Sequence, residues 1–75
     1  MMASILIRRC YDGSVLKELR VKAGYSQQEL ADIIDISKPT ICRWEKGYGV
    51  PNAINLVNLC DVFEVPFETF YKEID

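Results

Sequence analysis

An all-α fold of five short helices is predicted by the sequence, on three observations. Apolar residues recur at helical spacing in successive short blocks. Serine, asparagine and aspartate stand where those blocks begin, with glycine or aspartate where several of them end. The length of 75 residues allows one modest core, with about 60% of the unfolded chain's surface buried at this size.

Each element has its own warrant. Residues 1–12 read as a short N-terminal arm, and the domain proper as 13–75. In the arm, Ile5, Leu6 and Ile7 suit a short strand against a neighbouring copy. Leu16, Leu19 and Ala23 recur at i, i+3, i+7 and Gly24 follows as a stop, which predicts a first helix over 13–23 capped by Asp12 or Ser14. Ser26-Gln27-Gln28-Glu29 is a capping box: the serine oxygen accepts the N–H of Glu29 while the glutamate accepts that of Ser26. The second helix begins there, turns Leu30, Ile33 and Ile34 to one face, and ends near Asp35, a residue type that tolerates left-handed backbone.

Ser37 caps a third helix with Pro39 in its first turn, where a missing N–H leaves no intrahelical bond unmade, and Gly47 ends it. After the turn-prone Gly47-Tyr48-Gly49-Val50-Pro51, Asn52 caps a fourth helix reaching about Phe63, with Leu56, Leu59, Cys60 and Phe63 inward. A last short helix is predicted from Pro66, carrying Phe67, Phe70 and Tyr71.

Composition narrows the function. No stretch approaches the roughly 18 consecutive apolar residues of a membrane span, and the positive charges of the N-terminal region follow its apolar residues instead of preceding them, so neither a membrane nor a secretory destination is expected. Three cysteines with no C-x-x-C pair and no histidine anywhere make free thiols in a reducing cytoplasm the expectation, with no metal site and no cofactor. An enzyme is not expected: there is no phosphate-cradling glycine loop and no nucleophile with a base beside it. The net charge is −2, yet it is polarised along the chain. Residues 1–50 hold eight Lys/Arg against six Asp/Glu, and residues 51–75 hold one against five. That asymmetry permits a polyanionic partner at the N-terminal side without requiring one, since solvated helix faces produce it as well.

The informative stretch is 27–46, where two helices are joined by a turn too short for an antiparallel arrangement, so they must cross steeply. Leu30, Ala31, Ile34, Ile36, Ile41 and Trp44 fall where that crossing needs apolar or small side chains. A plain helical hairpin has the same spacing, and the outer face of the third helix distinguishes the two. Pro39, Cys42, Arg43 and Lys46 form a stripe roughly 200° around from Ile41 and Trp44, at about 100° per residue. A major groove about 12 Å wide admits such a helix, and Arg43 suits a bidentate pair of bonds to guanine. Ser37 and Lys38 at the helix start reach base edges or phosphates. Gln27, directly after its cap, suits a phosphate, with Thr40 and Lys46 gripping the backbone on either side.

The segment LKELRVKAGYSQQELADIIDISKPTICRWEKG resembles the Cro and lambda-repressor type of helix-turn-helix domain, the Xre family, and the similarity continues through VPNAINLVNLCDVFEVPFETF, over about residues 14–71. Its motifs are L-x-x-x-R, G-Y-S-Q-x-E-L-A, S-x-x-T-I-x-R-W-E-x-G and a following P-x-x-x-x-L. The resemblance implies a five-helix lambda-repressor-like DNA-binding domain, of the kind found in bacterial and phage regulators, whose third helix, residues 37–47, enters the major groove of double-stranded DNA. It assigns phosphate contact to Gln27, base reading to Ser37, Lys38, Pro39 and Arg43, and a structural ion pair to Arg20 and Glu45. This chain departs from the family pattern with Asp35 and Glu64 where glycine is common, and with Pro39, which offers a thymine methyl only apolar contact.

Cys42 lies on the DNA-facing stripe and admits a redox role, while Cys60 suits core packing. One such domain contacts few base pairs, so a homodimer on two half-sites is expected, with Val65, Phe67 and Tyr71 as interface residues, although Phe70 and Phe67 equally suit the domain's own core. Three functions compete: a stand-alone regulator, with repressor the leading role; an antitoxin whose protein toxin partner would be encoded nearby; and a protein-interaction module of the same fold that does not read DNA. Gln27, Lys38 and Arg43 on the expected face favour the first.

Overall fold

A computed structural model describes residues 7–74. Four α-helices, α1 (Gly13–Ala23), α2 (Gln27–Ile33), α3 (Lys38–Lys46) and α4 (Ala53–Phe63), are preceded by a strand β1 (Arg9–Tyr11) and followed by a 3₁₀ turn (Phe67–Phe70) and a strand β2 (Tyr71–Glu73). The helix starts follow the cap residues. Asp12, Ser26, Ser37 and Asn52 each accept a backbone N–H from the first turn, and the capping box at Ser26 is closed in both directions. The choice between Asp12 and Ser14 falls to Asp12, which accepts both the N–H and the hydroxyl of Ser14.

Each of the four helices is followed within two residues by left-handed backbone, at Gly24, Asp35, Gly47 and Glu64. Just beyond each, a reversing N–H bonds back onto the last turn, from Tyr25 to Arg20, Ile36 to Ala31, Tyr48 to Arg43 and Val65 to Cys60. These bonds satisfy carbonyls that the helix end leaves open and turn the chain sharply.

The expectation of five helices is corrected to four helices and a small two-stranded sheet. The segment after Pro66 makes a single 3₁₀ turn, and Tyr71 belongs to a strand instead of a helix. Four residues between a proline and a strand cannot complete the hydrogen-bonded turns that make an α-helix cooperative. Strands β1 and β2 pair antiparallel with Arg9 opposite Glu73, Cys10 opposite Lys72 and Tyr11 opposite Tyr71. Bonds from Asp12 N–H to Phe70 and from Ile74 N–H to Arg8 extend the ladder at both ends. The chain after Ile7 therefore pairs with its own C-terminal segment. Of the apolar arm residues expected to meet a neighbour, Ile5 and Leu6 lie outside the described residues and Ile7 is exposed.

Leu16, Leu30, Ala31, Ile34, Ile41, Trp44, Leu59 and Phe70 form one buried cluster drawn from every helix and the 3₁₀ turn. Full burial of such side chains is worth roughly 1.5–3 kcal/mol each, so this cluster fixes how the helices cross. Leu19, Leu56, Cys60, Val62 and Phe63 pack against it at its edge. Phe70 is wholly buried, which settles it as core. No helix among the described residues is long and apolar enough to cross a membrane.

Candidate nucleic-acid interface

The crossing of α2 and α3 is built from the residues that the pattern of the sequence singles out. Leu30, Ala31, Ile34, Ile41 and Trp44 are buried and Ile36 in the turn is half-buried. The fully buried Ala31 allows a close approach at the crossing, and left-handed Asp35, at φ 58°, lets two helices follow one another within a few residues.

With Ile41 and Trp44 buried, the opposite face of α3 is held outward. Lys38, Pro39, Arg43 and Lys46 are exposed there, and Cys42 is half-buried at the margin of the stripe. Among the described residues, none of these three cations lies in an ion pair with a carboxylate. Their charges are therefore directed to solvent or to a ligand. Arg43 runs beside the loop after α3, where its guanidinium comes close to Gly49.

The helix start is organised differently from the rest of the stripe. The Ser37 hydroxyl oxygen accepts the Thr40 N–H at 3.4 Å and shares a hydrogen bond with the Thr40 hydroxyl at 2.8 Å. Ser37 is exposed and Thr40 half-buried. Both hydroxyls are thus tied to the cap, and each retains capacity for at least one further partner.

Gln27 is half-buried and its side-chain amide nitrogen donates to Glu45 Oε1 at 3.0 Å. Among the described residues its nitrogen keeps one N–H and its carbonyl has no partner, so the side chain is held in place without being fully occupied. Glu45 is the hub of a wider network. Arg20 Nε donates to Glu45 Oε2 at 2.6 Å and Arg20 Nη2 to Glu45 Oε1 at 3.1 Å, a two-pronged pair, while Nη1 donates to the Tyr25 carbonyl at 2.9 Å. The side chains are 11% and 3% exposed, so the charges are removed from water and depend on one another. Hydrogen bonding to Glu45 raises the Arg20 pKa further above its ordinary value, which keeps the guanidinium charged. The resemblance foresaw the Arg20–Glu45 pair, but the Tyr25 carbonyl and the Gln27 amide emerge only from the fold.

Two further residues escape a reading by pattern. Gly13, at the start of α1, lies against the end of α3 so closely that a Cβ built there would stand 2.1 Å from the Trp44 carbonyl oxygen and 2.8 Å from that of Glu45. Tyr11 packs edge-on against Tyr71, with ring centroids 6.1 Å apart, and its buried hydroxyl has its pKa pushed well above the ordinary value by desolvation first and by the charge of Glu45 second. The phenol stays neutral beside the carboxylate. Cys60, packed at the core edge, has its thiol pKa raised by burial and by the nearby charges of Asp61 and Glu68, which suits packing and not reactivity.

Of the residues expected at a dimer interface, Phe67 is 61% exposed, whereas Val65 and Tyr71 pack partly against the core.

The geometry agrees with known proteins. The helix-turn-helix family profile matches residues 16–70. YgzD of Bacillus subtilis, described as an uncharacterized HTH-type transcriptional regulator, is 32% identical over 56 residues, 75% of this chain and 85% of YgzD. A Pyrococcus furiosus protein is 40% identical over 55 residues, 73% of this chain, and the matched region is only 18% of that longer relative. Among solved structures, SinR, described as the master regulator for biofilm formation and determined in complex with DNA, shares the fold with a TM-score of 0.69 at 28% identity, over 76% of this chain and 95% of SinR. With the motifs, the α2–α3 pair packed on its predicted apolar residues and the profile in agreement over most of its length, the chain belongs to the helix-turn-helix family of the Cro and lambda-repressor type.

Proposed function

We propose that this chain is a sequence-specific reader of double-stranded DNA that regulates transcription in the cytoplasm, as a homodimeric repressor with residues 37–47 in the major groove. The observation that carries this reading is the outer stripe of α3: Lys38, Arg43 and Lys46 are exposed, free of carboxylate partners among the described residues, and opposite a face locked into the core by Ile41 and Trp44. A helix anchored on one side and cationic on the other is rigid enough to present donors to base edges at small entropic cost.

In this reading Arg43 takes guanine O6 and N7, and Lys38 reads a base edge near the helix start. Pro39 gives apolar contact. Ser37 and Thr40, through the lone pairs and protons left over from capping, and Lys46, through its charge, hold the phosphates. Gln27 offers its remaining amide N–H to a phosphate at the flank of the groove. That SinR was determined in complex with DNA supports the same use of a similar fold here. Two half-sites read by two copies supply the affinity that one small module lacks.

The experiment is selection from a random pool of DNA duplexes at near-physiological salt, followed by sequencing of what the protein retains. Enrichment of a twofold-symmetric motif with half-sites about one helical turn apart is the expected result. Absence of any enriched sequence would overturn the reading and favour a partner that is a protein.

A further inference from the structure

Two hollows lie where the C-terminal ends of α1 and α2 meet the last turns of α4. The first, of about 340 Å³, is lined by Ile33, Ile34 and Asp35 from the end of α2 and its turn, and by Asn58, Asp61 and Val62 from α4. The second, of about 300 Å³, has Leu19, Lys22 and Tyr25 on one side and Phe63 on the other. Val62 lines both, so the two form one groove with a shared wall. Its apolar parts are incompletely covered: Ile33 is 50% exposed, and Tyr25, Val62 and Phe63 are half-buried. A single exposed isoleucine is ordinary, but this one stands on the wall of a groove.

The charge around the first hollow is of one sign. Asp35 and Asp61 are exposed, line it from different elements and lie in no ion pair among the described residues, and none of the residues lining it is a cation. Both carboxylates stand where a helix works against them. The C-terminal end of the helix dipole favours a cation, and α1 and α3 follow that rule with Arg20 and Lys22, and with Arg43 and Lys46, in their last turns. α2 and α4 carry no basic residue there. Asp61 lies in the last turn of α4 instead, with Asp35 just beyond α2. The neighbouring charges are Lys22 on the second hollow, Glu64 just beyond α4, and Asp32, whose carboxylate accepts the Gln28 amide.

We infer that this groove docks a short basic amphipathic segment of another protein, with apolar side chains in the hollows on either side of Val62 and Lys or Arg side chains against Asp35 and Asp61. Charge complementarity selects the occupant. An acidic segment meets like charge, and an uncharged one draws water from two carboxylates without pairing them. A second copy of this chain, docked about a twofold axis, sets the same carboxylates against each other. No residue of the α3 stripe lines the groove, so the inference stands apart from the DNA reading.

The test is selection of displayed random peptides on the purified full chain at near-physiological salt. An enriched peptide is then titrated by fluorescence anisotropy against variants of the chain, with far-UV circular dichroism as the check on folding. Enriched sequences are expected to combine several Lys or Arg with apolar residues. Asp35→Asn together with Asp61→Asn should weaken the peptide by about fivefold, and added salt should weaken it further. Ile33→Ser should weaken it by about tenfold. Glu68→Gln together with Glu73→Gln removes the same charge from residues that do not line the groove, and should leave the affinity unchanged. The inference is overturned by a selection that enriches nothing or only acidic or uncharged peptides. It is equally overturned by a peptide that the Glu68 and Glu73 pair weakens as much as the groove variants do. A wild type that self-associates in sedimentation, and loses that association in Ile33→Ser, overturns it in favour of a second copy as the occupant.

Discussion

Gly13 shows how much of this fold turns on single atoms. A methyl group at this position would collide with two main-chain carbonyls of α3, and main chain cannot rotate aside as a side chain can. Gly13→Ala is therefore expected to destabilise the protein by about 3 kcal/mol, the upper part of the usual cost of overpacking, measurable as a lowered denaturant midpoint. Arg20 is a second such residue. Its charge is matched by Glu45 and the Tyr25 carbonyl in a setting nearly closed to water, and Arg20→Ala leaves Glu45 buried without its partner. A loss of about 3 kcal/mol is expected, with the DNA sequence preference of the remaining folded protein unchanged. Asp12 gives the fold a dependence on acid. Its carboxylate accepts the hydroxyl and the N–H of Ser14, which lowers its pKa below the ordinary 3.8. Because the folded-state value is the lower one, its contribution is fully present above the unfolded pKa and lost as pH falls through the depressed value. A stability–pH profile of Asp12→Asn should therefore be flatter than the wild type's below about pH 4 and run parallel to it above.

At the scale of elements, the helix ends carry the most informative departures from the family pattern. Gly24 and Gly47 take left-handed backbone without cost, but Asp35 and Glu64 take it at φ 58° and 55° with a Cβ in place. An L-residue pays about 1–2 kcal/mol there, offset in a glycine variant by the greater freedom of its unfolded chain. Glu64→Gly should raise stability by about 1 kcal/mol, and Asp35→Gly by less, because an aspartate side chain tolerates this region better than a glutamate does. Thermal melts of the two variants check both the sign and the order. These same ends explain what could be read in advance. The four helices were legible because each carries its own punctuation, such as the box at Ser26 or the glycine after Lys46, and an inward stripe at helical spacing. The sheet was not legible, since three-residue strands are too short to show a period and their pairing joins residues some sixty positions apart. For the same reason Pro66 and the apolar residues after it read as a helix that the chain has no length to form. In the candidate site, the stripe Pro39, Cys42, Arg43 and Lys46 followed from period, and all but the half-buried Cys42 are exposed, whereas the bond from Gln27 to Glu45 depended on how α2 and α3 pack.

For the molecule as a whole, the decisive question for the proposed function is how an acidic chain would bind a polyanion. The excess of carboxylates lies in residues 51–75, while the helix that would meet DNA offers Lys38, Arg43 and Lys46 outward. Attraction is local, set within about a Debye length of the groove, near 8–10 Å at physiological salt, so the more distant acidic charge is largely screened. Two substitutions separate the parts of that attraction. If Lys46 holds a phosphate, Lys46→Ala removes one contact from each half of a dimer, and the slope of log affinity against log salt should fall by about 1.8, with all sequences weakened alike. If Arg43 holds a guanine edge, Arg43→Ala should forfeit about 1–3 kcal/mol of discrimination at one symmetric base position of each half-site. Its cation is lost as well, so some general weakening accompanies the change, and preference at that position relative to its neighbours is the discriminating readout. Titration of both variants against the selected duplex and single-base variants of it, at several salt concentrations, gives slope and preference together. A uniform loss from Arg43→Ala, with every base preference retained, would mean that α3 lies on the backbone and that sequence is read by another element.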